Sequence, residues 1–498
     1  MNRQPMVYRL IEPLHISVAL VYVLTFSLIE RLISAALEPG FLLLDIPILK
    51  RWIRASTFSA TLAGVLLTQG FACVLASTPP TTALAWRIGL AVPMLIGLSL
   101  LSVAHSRLTA QPWTIAQFER RHQTRSIERI FSKLLRNPLD AHFARLLIAN
   151  SLVMLPAFAC LLVIRPFSFA CLFCFISVWL ISGSDQETLD HTDIHNNVFR
   201  GAAHLSPTQG VLLRGMHLWL RLGLNAMHGR IPHFYRAQHV YIHHVENNDL
   251  GDPQSTLRYD RTSFFDFCRF ALKLGLSFTF AADVFAYLAA RSNRRQIRLL
   301  GYGIGGWFLM LVVIACFNPG AALALLLIRL SVGVPTAIDV NFWHGLADPD
   351  DPGNIARNTI NILYQDEEVA GIGAMHAAHH YRSGEHWSRQ CQLSHAAAGQ
   401  MRDRGMLLFN NYLATKFTKM LLLCRFDVIA LSTHPSNEEE IDYGRRIPEI
   451  RRRLAPWRPV HRSDTYRLLD RTLGAMYAYG LPIVPLPAID PAAAPYLR

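Results

Sequence analysis

Seven stretches of this chain are apolar over roughly the length a helix needs to cross a bilayer. Residues 16–37, 56–77, 84–105, 146–164, 167–183, 299–317 and 321–338 each hold an almost unbroken apolar run. A spanning helix takes about 20 such residues. Inside hydrocarbon every backbone amide must be bonded within the protein, so runs of this kind predict helices. The first carries Glu30 and Arg31 near its end and is expected either to span or to lie in the interface. The others pair off. TPPTT separates 56–77 from 84–105; Arg165 and Pro166 separate 146–164 from 167–183; Asn318, Pro319 and Gly320 separate 299–317 from 321–338. Each pair predicts a hairpin. The expected fold is therefore all-α, a polytopic membrane helical bundle with a cytoplasmic helical cap. Residues 1–141 form an N-terminal membrane hairpin and basic linker, 142–400 the main membrane domain, and 401–498 a C-terminal cytoplasmic or interfacial cap.

Basic loops set the sidedness. Lys50, Arg51 and Arg54 precede the first hairpin, FERRHQTRSIERIFSKLLR lies between the first and second and reads as helical, and RSNRRQIR precedes the last. By the positive-inside rule all three are cytoplasmic. Residues 267–290 are apolar enough to span, but both flanks would then be cytoplasmic, so this stretch is expected to be re-entrant or interfacial. The net charge of +13 is thus loop charge between apolar blocks. With no aromatic–basic platform beside it, it argues against nucleic-acid binding. The eight cysteines form no framework. Cys171 and Cys174 have CxxC spacing, but FACLFCF is a hydrocarbon-like context in which buried packing is the expected role. The start, MNRQPMVYRLIEPLH, lacks the apolar core and cleavage site of a secretory signal, and none is expected.

This topology gathers the loop after Gly183, residues 196–260, the loop after Ile338 and the C-terminal region on one side. Every spaced histidine cluster falls there. DHTDIHNN sets His191 and His195 at i, i+4, one helical face, which suits a metal pair and equally a hydrogen-bonded interfacial pair. RAQHVYIHHVENND offers His239 and His243 at the same spacing, with His244 adjacent. His243 and His244 diverge by about 100° on a helix, as in a site where one helix serves two ions, or simply on a solvated polar helix. NFWHGLADPDDPGN holds His344 alone, a ligand or a satisfied interface histidine. MHAAHHYRSGEHW supplies His376, His379 and His380 at i, i+3, i+4; His386 and Trp387 follow as ligand, outer partner or interfacial anchor. His217, His228, His233 and His395 lack such spacing and read as structural. Nine histidines are too many for one zinc, which takes about four ligands, and about right for two ions. Imidazole suits Zn, Cu, Fe and Ni. A soluble carboxylate-bridged di-iron bundle needs paired Glu-x-x-His motifs; Glu119 to His122, inside the basic loop, has that spacing, and none of the clustered histidines has a Glu three residues before it. Asp190, Asp193, Glu246, Asp249 and Glu385 are carboxylates that could orient imidazoles.

HTDIH, HVYIHH and HAAHH resemble, in order and in placement around membrane hairpins, the three histidine boxes of the membrane fatty acid desaturase and hydroxylase superfamily: HxxxH, Hxx(x)HH and HxxHH. HHVENNDLGDPQST, FWHGLADPDDPGN with NTINILY, and HAAHHYRSGEHW resemble a bacterial and fungal branch of it. The likeness covers about residues 146–387. It implies that 142–400 is a desaturase-like di-iron domain, with two iron ions held by His191, His195, His239, His243, His244, His344, His376, His379 and His380. It further implies a metal-bound water at Asn341 and dioxygen as co-substrate. The chemistry it implies is hydrogen removal from an unactivated C–H bond of a lipid or acyl chain, ending in a double bond or an alcohol. Two departures stand out: the longer spacer between His239 and His243, and Asp185 and Glu187, acids placed where they could touch iron. No HPGG of a fused cytochrome b5, no iron–sulfur cysteine run and no dinucleotide-binding GxGxxG is present. An external ferredoxin or cytochrome b5 type donor is therefore expected. Arg445, Arg446, Arg451, Arg452 and Arg453 offer a docking face for it, or for anionic lipid. From a different class, a zinc-binding membrane receptor or transporter remains as an alternative.

Overall fold

The computed structural model describes residues 6–79, 81–110, 112, 114–163, 168–362, 376–409, 414–433, 443–456 and 463–481. The expected turn at Arg165 and Pro166, Met375 at the head of the third box, and the tail beyond 481 lie outside them. Among the described residues seven helices are long and apolar enough to cross a membrane: Pro13–Leu44, Thr57–Ser77, Leu84–Thr109, Pro138–Val163, Phe169–Asn196, Arg294–Phe317 and Pro319–His344. Strand is confined there to Asn361–Ile362 paired in parallel with Leu408–Phe409.

Large apolar side chains cover the outward faces of these helices. Leu66 and Leu309 are each 64% exposed and Phe317 is 82% exposed. Contiguous apolar surface of this kind is costly in water and is the ordinary outer surface of a protein in hydrocarbon. Polar groups are satisfied inward instead. Asn318, at the break between the last two spans, donates through Nδ2 to Leu161 O at 3.0 Å and caps the next helix by accepting the Ala321 amide at 3.1 Å.

The first helix, Pro13–Leu44, packs along Leu84–Thr109 and along Phe264–Phe280. Tyr22 Oη donates to Leu330 O at 2.6 Å. Gly275 and Gly333 make room for this bond, since a Cβ on either would meet Tyr22 Oη at 2.8 and 2.7 Å. Phe264–Phe280 and Ala282–Ala290 meet at 72°. The bend falls at Ala281, whose φ of +53° lies in a region that alanine enters only under constraint. Residues 267–290 are thus a broken element, not a straight span.

The basic stretch after the first hairpin folds as Ile115–Thr124 and Ser126–Phe131. Glu128 there is paired with buried Arg145 at 2.7 Å. At the C-terminal end, Tyr443–Leu454 sets Ile450 and Leu454 into a cluster with Phe342, Phe409 and Phe417. Arg452 donates to both carboxylate oxygens of Asp348, at 2.8 and 2.7 Å, and buried Arg453 donates to Glu449 at 2.7 Å. Arg453 is thus an internal anchor, while Arg452 is held by carboxylates with about a third of its side chain exposed. Asp464–Gly480 lies on Phe264–Phe280, with Phe264 and Tyr477 rings 4.8 Å apart and the Phe265 amide on Asp470 at 2.8 Å. One apolar cluster runs from Ile16 through Phe175 to Tyr477, so residues 1–141, 142–400 and 401–498 share a core.

Candidate metal centre

Four elements bring nine histidines together. Phe169–Asn196 continues beyond its apolar stretch and presents His191 and His195, ring centroids 5.1 Å apart, before Asn197 ends it in the left-handed conformation. Arg236–His243 carries His239 and His243, and His244 follows. His344 is the last residue of Gly333–His344. The short His376–Tyr381 helix presents His376, His379 and His380. The rings fall into two groups, His191, His195, His239 and His379, and His243, His344, His376 and His380. Within each, the ligand nitrogens lie within 4.8 Å of one another. His244 joins the first group, its Nε2 3.1 Å from that of His239, and its ring touches His380 of the second at 4.4 Å between centroids.

Arg236–His243 is a π-helix. Its i→i+5 bonds widen the turn, so His239 meets His244, five residues on. The His239 and His243 rings still stack side by side, 5.3 Å apart, as the i, i+4 spacing leads one to expect, but the nitrogens of His243 belong with the second group. The adjacent pair His243 and His244 does divide between the groups.

Hydrogen-bond bookkeeping tests whether these rings suit metal. His344 Nδ1 faces the Asn358 carbonyl at 2.7 Å, His243 Nδ1 faces Asp252 Oδ2 at 2.6 Å, and His380 Nδ1 faces Asn247 Oδ1 at 2.8 Å. Each partner only accepts, so each Nδ1 carries a proton; beside the neutral oxygens of Asn358 and Asn247, in a buried site, this leaves Nε2 of His344 and of His380 a bare lone pair. Yet Nε2 of His344 lies 3.1 Å from Nε2 of both His243 and His376, and Nε2 of His380 lies 3.1 Å from that of His376. A single proton on His376 Nε2 can meet only one of the His344 and His380 lone pairs, so the other is left facing a nitrogen unless a cation lies among them. In the first group His191 and His379 approach equally closely, and buried His195 Nε2 has no hydrogen-bond partner among the described residues. With nitrogen about 2.1 Å from an ion, adjacent ligands at a right angle lie about 3.0 Å apart and at a tetrahedral angle about 3.4 Å. The observed 3.1 Å falls between the two, nearer the right angle. Burial, followed by neighbouring imidazoles, holds His239, His244, His376, His379 and His380 well below the usual histidine range. These five rings are neutral, the form that binds metal.

The sequence spacing did not single out Asp252, Asn247 and Asn358. Asn247 and Asn248 both have positive φ, 50° and 65°, and the turn they make returns the chain so that Asp252 lies under His243. The Asn-Asn and Gly-Asp-Pro turn signals were readable; the return to His243 was not. Asn358 also ties this turn to the other side of the site by donating to Asn247 O at 3.1 Å. Asn361 accepts the Ala377 amide at 2.7 Å and so fixes the start of the third histidine helix.

The carboxylates nominated from sequence are engaged elsewhere. Glu187 accepts from Arg230, which also reaches Asp190 at 3.3 Å. Asp190 accepts from Asn225 at 3.0 Å, and Asp193 takes two bonds from Arg221, at 3.0 and 2.8 Å. Glu246 accepts from Tyr287 and Arg291, Asp249 takes the Leu250 amide at 2.5 Å, and Glu385 pairs with Arg389 at 2.9 Å. Asp185 faces His105 at 3.6 Å. His386 is not in either group: its Nε2 lies 3.1 Å from Asp140, to which Trp387 also donates at 2.8 Å. These bonds anchor the loop after the third box to Pro138–Val163. Asn341 is buried one turn before His344. Just before the first and second boxes Glu187 precedes His191 by four residues, and the Tyr235 ring stacks on His239 at 5.0 Å.

Comparison with protein-family models, with curated proteins and with solved structures gives no match.

Proposed function

We propose that the chain is a multi-pass membrane oxidoreductase that holds two iron ions, one in each histidine group, and uses dioxygen to desaturate a lipid acyl chain. The observation that carries this reading is the double set of closely packed imidazole nitrogens, with pairs 3.1 Å apart in each group, set where apolar spanning helices end. Two adjoining groups of five and four imidazoles exceed what one zinc takes. When bound, an iron pair supplies the electron transfer and oxygen activation that no side chain offers.

The chain's own residues do the rest. Asp252, Asn247 and the Asn358 carbonyl fix three rings by their Nδ1 protons and so aim Nε2 inward. Burial of His243, His344, His376, His379 and His380 keeps bulk water from the centre and protects a reactive site from side reactions. The surrounding helices present apolar surface to lipid, so an acyl chain reaches the centre from within the bilayer. Basic loops put the centre on the cytoplasmic side, where an external ferredoxin or cytochrome b5 type protein delivers electrons.

The test is metal content of detergent-purified protein, by elemental analysis with Mössbauer spectroscopy on iron-enriched material, beside acyl-chain analysis of membranes that contain it. Two irons per chain, lost on His243→Ala or His379→Ala, together with a new double bond, are the expected result. A new hydroxyl or epoxide in place of the double bond would move the reading to a hydroxylase or epoxidase on the same scaffold. A single zinc, or no metal in folded protein, overturns the oxidoreductase and favours a zinc-binding receptor or transporter.

A further inference from the structure

Three helices bring cysteines together at the membrane face opposite the histidines. Cys73 lies four residues before the end of Thr57–Ser77, Cys160 three before the end of Pro138–Val163, and Cys171 two after the start of Phe169–Asn196. Cys160 Sγ is 3.5 Å from Cys73 Sγ and 3.7 Å from Cys171 Sγ. All three are free thiols. Cys171 and His191 share one helix, and at 1.5 Å per residue they stand about 30 Å apart, the thickness of the hydrocarbon core. Sequence spacing pointed to Cys171 with Cys174 and to packing alone. The structure instead puts Cys171 and Cys73 on either side of a third thiol from another helix.

A shared metal ion is the first alternative. Among the described residues, however, groups of three or more ligand atoms lying within 4.8 Å of one another are formed only by the histidines. The thiols are thus a row with Cys160 at its centre, not a triangle around an ion. A central thiol in contact with two others is the arrangement of thiol–disulfide exchange.

We propose that these residues form a redox-modifiable site in which Cys160 makes a disulfide with Cys73, and Cys171 is placed to displace Cys73 by exchange. The S–S bond length is about 2.0 Å, so closure from 3.5 Å asks about 0.8 Å of each side chain, within reach of a small χ1 change. The oxidant is a small-molecule or protein disulfide. Its sulfur is attacked by one thiolate to give a mixed disulfide, which the second thiolate resolves. Two S–H bonds in the chain give way to one S–S bond, and the oxidant takes both electrons and both protons and leaves as two thiols. Cys73, only partly buried, is the entry point, and Cys160 behind it resolves. With the histidines on the cytoplasmic side, this end meets the compartment where disulfides persist. The bond would tie the first hairpin to the second at the face away from the metal centre.

The experiment uses the full chain in membranes, treated with oxidised glutathione, quenched with N-ethylmaleimide, digested and examined by mass spectrometry without reduction. The expected product is a cross-linked peptide pair containing Cys73 and Cys160. In Cys73→Ser it is replaced by a Cys160–Cys171 pair, and reducing agent abolishes both. Recovery of Cys73, Cys160 and Cys171 each singly alkylated in the wild-type protein overturns the proposal. That readout needs no variant to fold, and it is independent of whether the histidines hold iron.

Discussion

Replacing Asp252 by Asn keeps the side chain's shape but removes the negative charge facing the His243 Nδ1 proton at 2.6 Å. Partners of this kind, one bond beyond the ligands, typically change metal affinity by about 10–100-fold. We expect Asp252→Asn to weaken metal retention by that factor with unchanged helix content, measured by chelator competition. Asp249→Asn, which alters only a local turn contact, should leave retention unchanged. Eight of the imidazoles were legible in the sequence as three closely spaced clusters, whereas His344 stands alone and was readable only through the resemblance to the histidine-box family. Asp252 was not, because its approach to His243 depends on two consecutive asparagines in the left-handed conformation, which no fixed spacing announces. His386 shows the opposite failure. It lies close to the third box in sequence, yet Asp140 and Asn137 draw its ring aside.

The π-turn at Arg236–His243 is an element whose function can be tested by length. Its wide turn absorbs one residue, so HxxxHH here presents the same faces that HxxHH presents on an α-helix. Deleting Val240 should therefore leave the metal-to-chain ratio unchanged, whereas inserting one alanine after Val240 should remove about half of the bound metal. Elemental analysis of both variants decides it. A different element responds to acid. Hydrogen bonds from Arg452, and then Arg453, outweigh burial and hold the Glu449 carboxyl down to about 2. Burial pushes Asp348 up, but Arg452 and Arg357 outweigh it and hold it below the usual carboxylate range. Groups depressed in the folded chain stabilise it above their unfolded values near 4, and that contribution is lost as pH falls toward the folded ones. Hydrogen exchange in Tyr443–Leu454 should accordingly rise between about pH 4 and pH 2, and Arg452→Ala should produce the same loosening at neutral pH. An amphipathic helix here was readable from sequence; the pairing of Arg452 with Asp348, about a hundred residues away, was not.

At the scale of the whole molecule, the spans were the most legible part, because backbone satisfaction in hydrocarbon permits so few alternatives to a helix. Loop charge led to the expectation that residues 267–290 are re-entrant or interfacial; the 72° bend fits a re-entrant element and equally a broken span. Sidedness is open to a direct test. Cysteine introduced at Thr81 should react with a membrane-impermeant maleimide in intact cells, and cysteine at Arg295 only after permeabilisation. The reverse pattern would invert the topology and place the histidines outside. The bond between Tyr22 and Leu330 bears on biosynthesis. Tyr22 meets this partner only after some three hundred more residues have been made, so in a nascent chain its hydroxyl lacks that acceptor. Chains that stop short of Leu330 therefore lack this tie between distant helices and should be the ones that quality-control proteases remove.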